Sequence, residues 1–117
     1  MRPDRALVHL EDVRAAARIA ELTRGPTHWR EAGWEVRSAL LWELLTVGEA
    51  CVRLRRDSPD VASSLPEPPT VIGLRNVLAH GYDRIDDEKV AEVVDVKLPQ
   101  LLLRITPLIA RLEAEAG

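Results

Sequence analysis

The sequence predicts an all-α fold, an up-and-down bundle of four to five helices. Apolar residues recur at steps of three and four through most of the chain, no segment carries a competing strand pattern, and prolines and glycines punctuate only a few breaks. No internal repeat is visible. In the first helix, Ala6, Leu10, Val13, Ala17 and Ala20 form one stripe, with Asp4 as its N-cap and Gly25-Pro26 as its end. After Thr27, a second cap residue, a proline-free run from His28 to about Asp57 stacks Val36, Leu40, Leu41, Leu44, Val47, Cys51, Val52 and Leu54 at helical spacing. This is the expected long central helix. Residues 57–69 hold Pro59, Pro66, Pro68 and Pro69 and are expected to form an irregular surface connector.

A third helix is expected from Pro69 or Thr70, with Val71, Leu74 and Leu78 on one side and Gly81 as its C-terminal cap residue. Asp86-Asp87-Glu88 places negative charge on the first turn of a fourth helix containing Val90, Val93, Val94 and Val96. Pro99 then opens a fifth, from Leu98 to about Ala116, in which Pro107 is expected to introduce a kink.

The 117 residues, 46% hydrophobic and 30% charged, suffice for one core and not two, so residues 1–117 read as a single domain. No apolar run approaches the roughly 20 residues of a membrane helix. The single cysteine, Cys51, excludes an internal disulfide and a paired-cysteine metal site, and His9 and His28 have no second ligand at metal spacing, so neither metal nor cofactor is expected. Met1 to Arg5 lacks the apolar block of a signal peptide, which makes a reducing cytoplasm the expected compartment.

A net charge of -3 and a pI of about 5.6 argue against bulk electrostatic coating of nucleic acid, though not against a local basic cleft. Aromatics are only 3% of the chain, too few for a broad base-stacking platform. All basic residues except Lys89 and Lys97 are arginines, which suit bidentate contacts with phosphate.

Chemistry concentrates in Arg75-Asn76-Val77-Leu78-Ala79-His80-Gly81-Tyr82. On a helix Asn76 and His80 share a face, whereas Arg75 and His80 diverge by about 140° over ~7.5 Å of rise. One helix cannot aim both at one phosphate unless its end unwinds or a second copy crosses a two-fold axis. A histidine titrating near neutrality can move the proton of a ribose hydroxyl, an arginine can hold the charge that grows on phosphorus oxygens, and Asn76 can orient either the histidine or the reacting group. A histidine at a helix C-terminus is equally an ordinary dipole-stabilised surface group, and the residues alone leave both readings open.

The run from Arg75 to Tyr82 resembles the R-x4-H-x-Y signature of the HEPN superfamily, in particular the HepT-like toxin ribonucleases of HepT/MntA toxin–antitoxin pairs. Gly48-Glu49-Ala50, Ile72-Gly73-Leu74 and Leu98-Pro99-Gln100-Leu101-Leu102 extend the resemblance, which covers about residues 5 to 112. It implies a helical homodimer with two R-x4-H segments at an interface cleft, Arg75 and His80 as a metal-independent ribonuclease pair, and Asn76 as the supporting polar residue. It further implies that Tyr82 is the tyrosine to which a nucleotidyltransferase antitoxin attaches AMP. The RNA, a tRNA or an mRNA, is not specified. In place of the tryptophan and charged residues common before the motif helix in this family, the chain carries Glu67-Pro68-Pro69-Thr70. The alternative is a non-catalytic HEPN-like accessory subunit that binds a nucleotidyltransferase or is modified by it.

Glu49 is expected either to pair with Arg75 or His80 or to be an exposed carboxylate beside Arg53 at i+4. His9 reads as a surface residue, Cys51 as a small core residue, and Trp34 and Trp42 as core or dimer packing. Arg53, Arg55 and Arg56 suit the negative end of the central helix, with RNA-backbone contact as the sharper alternative.

Overall fold

The structure, a computed structural model, describes residues 3–25, 29–81 and 85–116. Helices α1 (Pro3–Arg24), α2 (Trp34–Asp57), α3 (Pro59–Ser63), α4 (Pro68–His80), α5 (Asp87–Ala91) and α6 (Leu98–Ala116) follow in order, with a π-helical segment (Glu92–Lys97) joining the last two. No strand occurs among the described residues, and the all-α bundle is as expected. No helix of the described residues is long and apolar enough to cross a membrane.

The α1 stripe is the predicted one. Ala6, Leu10, Val13, Ala17 and Ala20 are all buried, facing α2 and α6. Gly25 ends the helix in the left-handed conformation, φ 69°, its N–H donating to the Glu21 carbonyl at 3.2 Å. The helix begins at Pro3, with Asp4 in its first turn. Thr27 and His28 lie outside the described residues.

The long central helix starts later than its spacing suggests, at Trp34 with Gly33 as N-cap. Trp29 explains the difference, because it is used as a plug rather than as a helical residue. It is buried, its indole N–H donates to Asp95 Oδ2 at 3.4 Å, and its ring carries the guanidinium groups of Arg30 and Arg37 at 5.4 and 5.8 Å from its centroid. Arg24 Nε donates to the other oxygen of Asp95 at 2.7 Å, so the α1–α2 turn is tied to the π segment.

The connector is more ordered than a proline-rich stretch predicts. Pro59 opens α3, Leu65 is buried, and Glu67 at the start of α4 is only 1% exposed, its Oε2 accepting from Arg104 Nε of α6 at 2.8 Å. The prolines fix φ in turns whose apolar and carboxylate side chains then find tertiary partners. The fourth and fifth helices are likewise not separate. Chain from Asp87 to Ala116 is continuously helical, with the Leu98 N–H donating to the Val93 carbonyl five residues back. Pro99 has no N–H for the Asp95 carbonyl and its ring crowds that carbonyl in an α-helix, so a widened turn before it lets the helix pass through. Pro107 also lies within α6 without ending it.

Three side-chain expectations change as well. Trp34 and Trp42 are 75% and 62% exposed and take no part in the core. His9 is not a plain surface residue, because its Nε2 meets Asp57 Oδ2 at 2.9 Å and ties α1 to the end of α2. The Asp57 carboxyl is held below the usual carboxylate range, chiefly by its hydrogen bond with Arg56.

Candidate functional site

The site is built on α4. Pro68 and Pro69 occupy its first positions, where a missing N–H costs nothing and φ is already helical. Val71, Ile72, Leu74 and Leu78 are buried and fix the helix against its neighbours, leaving Gly73, Asn76, Ala79 and His80 facing outward. The helix stops at His80 because Gly81 takes φ 134°, a conformation that side chains resist, and turns its N–H to the Leu78 carbonyl at 3.2 Å.

Arg75 is fixed rather than solvated. Its Nε donates to Glu49 Oε1 of α2 at 2.9 Å, its Nη2 stands 2.7 Å from the same oxygen in an ion pair, and its Nη1 donates to Asn76 Oδ1 at 2.9 Å. Of the arrangements open to Glu49, the structure adopts the pairing with Arg75. Both side chains are partly exposed, so the pair contributes little net stability, under about 1 kcal/mol. Its consequence is orientation. A guanidinium has five N–H donors, and hydrogen bonds engage one on Nε and one on Nη1 here, which leaves N–H groups on both Nη for a further partner. Two N–H groups so placed can grip one phosphoryl group.

Close approach of α2 and α4 makes this possible. A Cβ built on Gly48 would overlap Arg75 Cβ and stand 2.7 Å from its Cγ, so only glycine lets the Arg75 backbone lie against α2 at that level. In the sequence the only signal for this role of Gly48 is an isolated glycine inside a long helical pattern.

His80 is exposed at the last position of α4 and has no hydrogen-bond or ion-pair partner among the described residues. Because α4 stays α-helical to His80, the divergence of about 140° from Arg75 holds within one chain. Asn76 is turned to Arg75 and not to His80. Tyr82 lies outside the described residues. Cys51 is fully buried, and burial pushes its thiol up to about 12, so it is a neutral core group rather than a nucleophile. Arg56 is engaged by Asp57 at 2.9 and 3.2 Å, whereas Arg55 is exposed with no partner among the described residues.

Comparison with known proteins gives one match: the family model described as Ribonuclease HepT-like covers residues 13–107. Neither the curated proteins nor the solved structures provide a further match.

Proposed function

The chain belongs to the HepT-like ribonuclease family, and from that premise we propose that it is a metal-independent endoribonuclease toxin of a toxin–antitoxin pair, acting in the cytoplasm as a homodimer. The observation that carries the reading is Arg75, held by Glu49 and Asn76 with N–H groups of both Nη left over, on the same helix as His80, which is exposed and has no partner among the described residues.

Arg75 and His80 diverge on one helix, so a phosphate touched by both needs Arg75 from one protomer and His80 from its partner. In that cleft His80 takes the proton of a ribose 2′-hydroxyl as its oxygen attacks the adjacent phosphorus. The bond from phosphorus to the 5′-oxygen breaks, and that oxygen leaves with a proton supplied by water. The products are a 2′,3′-cyclic phosphate and a 5′-hydroxyl end. Arg75 stabilises the charge that gathers on the non-bridging oxygens, and Glu49 and Asn76 keep its fork aimed without reorganisation during the reaction. Tyr82, two residues beyond His80, is the position at which a nucleotidyltransferase antitoxin attaches AMP. An adenylate there blocks RNA sterically, and its phosphate competes for Arg75.

The deciding experiment is growth after induced expression without any partner, comparing wild type with His80→Ala, with total RNA run on a denaturing gel and soluble protein measured in both. Growth arrest and discrete RNA fragments with the wild type alone are expected. If both proteins are soluble and neither harms the cell nor its RNA, catalysis by His80 is rejected and a non-catalytic accessory subunit becomes the better reading. Co-expression with a nucleotidyltransferase of this class is expected to add the mass of AMP to wild type and not to Tyr82→Phe. Addition to both would move the modification elsewhere.

A further inference from the structure

We propose that the groove between the end of α2, α3 and the start of α4 is a subsite for one nucleotide of a single RNA strand that continues to Arg75; this rests on the ribonuclease reading above. The groove encloses about 390 Å³, within the ~300–1,000 Å³ usual for ligand pockets. Its walls are Ala62, Leu65, Pro66, Pro69 and Ile72, and among the described residues its one charged lining residue is Arg55. With no carboxylate among the described lining residues, the groove favours a ligand that joins an apolar face to an anion.

Position distinguishes a nucleotide from other such ligands. Gly48 of α2 meets Arg75 of α4, while Arg55, seven residues further along α2, shares the groove with the first turn of α4, so the two features lie on one antiparallel seam. At 1.5 Å per residue they are about 10 Å apart, which an RNA strand covers in about three steps even at the ~3.4 Å per phosphate of a duplex strand. A base laid on the proline and aliphatic wall would put its phosphate beside Arg55, with the next phosphates leading to Arg75. Arg55 is free for this role, since Asp57 closes off its neighbour Arg56 instead. The wall is also preformed. Four prolines, Pro59, Pro66, Pro68 and Pro69, fix the backbone before any ligand arrives, which lowers the ordering cost of binding.

The test is binding of a fluorescent single-stranded RNA oligonucleotide to His80→Ala, which keeps the RNA intact, against the same protein carrying Arg55→Ala, Ser63→Glu or Arg75→Ala. Residues 55 and 63 are exposed, and thermal melting checks that each variant is folded. Arg55→Ala is expected to weaken binding about three- to tenfold and to reduce the slope against log salt by about 0.7, the value for one phosphate of a single strand. Ser63→Glu, which sets a carboxylate on the rim, is expected to weaken it similarly. If both variants bind like their parent while Arg75→Ala is weakened, the strand takes another route and the subsite is rejected with the ribonuclease reading intact. Absence of RNA binding by the parent also rejects the subsite, and the growth assay then decides whether the ribonuclease reading falls with it.

Discussion

Gly48→Ala is expected to destabilise the protein by about 1–3 kcal/mol although alanine is the better helix former. In an open helix the exchange would gain about 1 kcal/mol. Here the new methyl would overlap Arg75 Cβ, with Arg75 Cγ at 2.7 Å and Cα at 3.5 Å, and none of these atoms is the far end of a flexible side chain. The whole of α4 must shift, and the Arg75–Glu49 geometry shifts with it. Gly73→Ala provides the control. A Cβ there meets nothing within 4 Å, so that variant is expected to gain the helix-propensity term. Thermal unfolding of the three proteins checks both signs. A Gly48→Ala variant as stable as Gly73→Ala would show that α2 and α4 do not approach this closely.

The second large effect concerns rate. Arg75→Ala is expected to lower RNA cleavage by about 10²–10³-fold, the usual loss when one preorganised donor to a developing charge is removed. Stability should change little, because the side chain is partly exposed and Glu49 can turn to water. Glu49→Gln tests positioning separately. It keeps an acceptor for the Arg75 N–H groups but removes the charge, so a smaller loss in the rate of the bound complex is expected, with RNA affinity held or raised as a negative charge leaves the cleft. Single-turnover cleavage of a defined RNA by the purified, folded variants separates binding from chemistry. Unchanged cleavage in Arg75→Ala would remove the arginine from the mechanism.

The parts of this molecule that local pattern dictates were legible in its sequence. The α1 stripe, the Gly25 stop and the buried side of α4 follow from small and apolar residues at helical spacing, ended by glycines whose positive φ other residues resist. Elements shaped by distant partners were not. Trp29 leaves the helical pattern because Asp95 and two guanidinium groups hold it, and Glu67 is buried because Arg104 of another helix waits for it. Pro99 reads as a helix start from sequence, since the widened turn that accommodates it is set by the chain on both sides. At the site, Arg75, Asn76, His80 and the Glu49 pairing were named from sequence, whereas the fit of Gly48 required the distance between two helix backbones.

The two ties to Asp95 also bear on when the protein can exist as a folded object. Arg24 and Trp29 reach across 71 and 66 residues to that carboxylate, whereas the Glu49–Arg75 pair spans only 26. Loop closure grows costlier with separation, and long-range pairings form late. During synthesis α1 can already pack on α2, and α4 can follow, but the ties from Arg24 and Trp29 cannot close until Asp95 has left the ribosome. The turn between α1 and α2, although early in the sequence, is therefore among the last parts of the fold to be fixed.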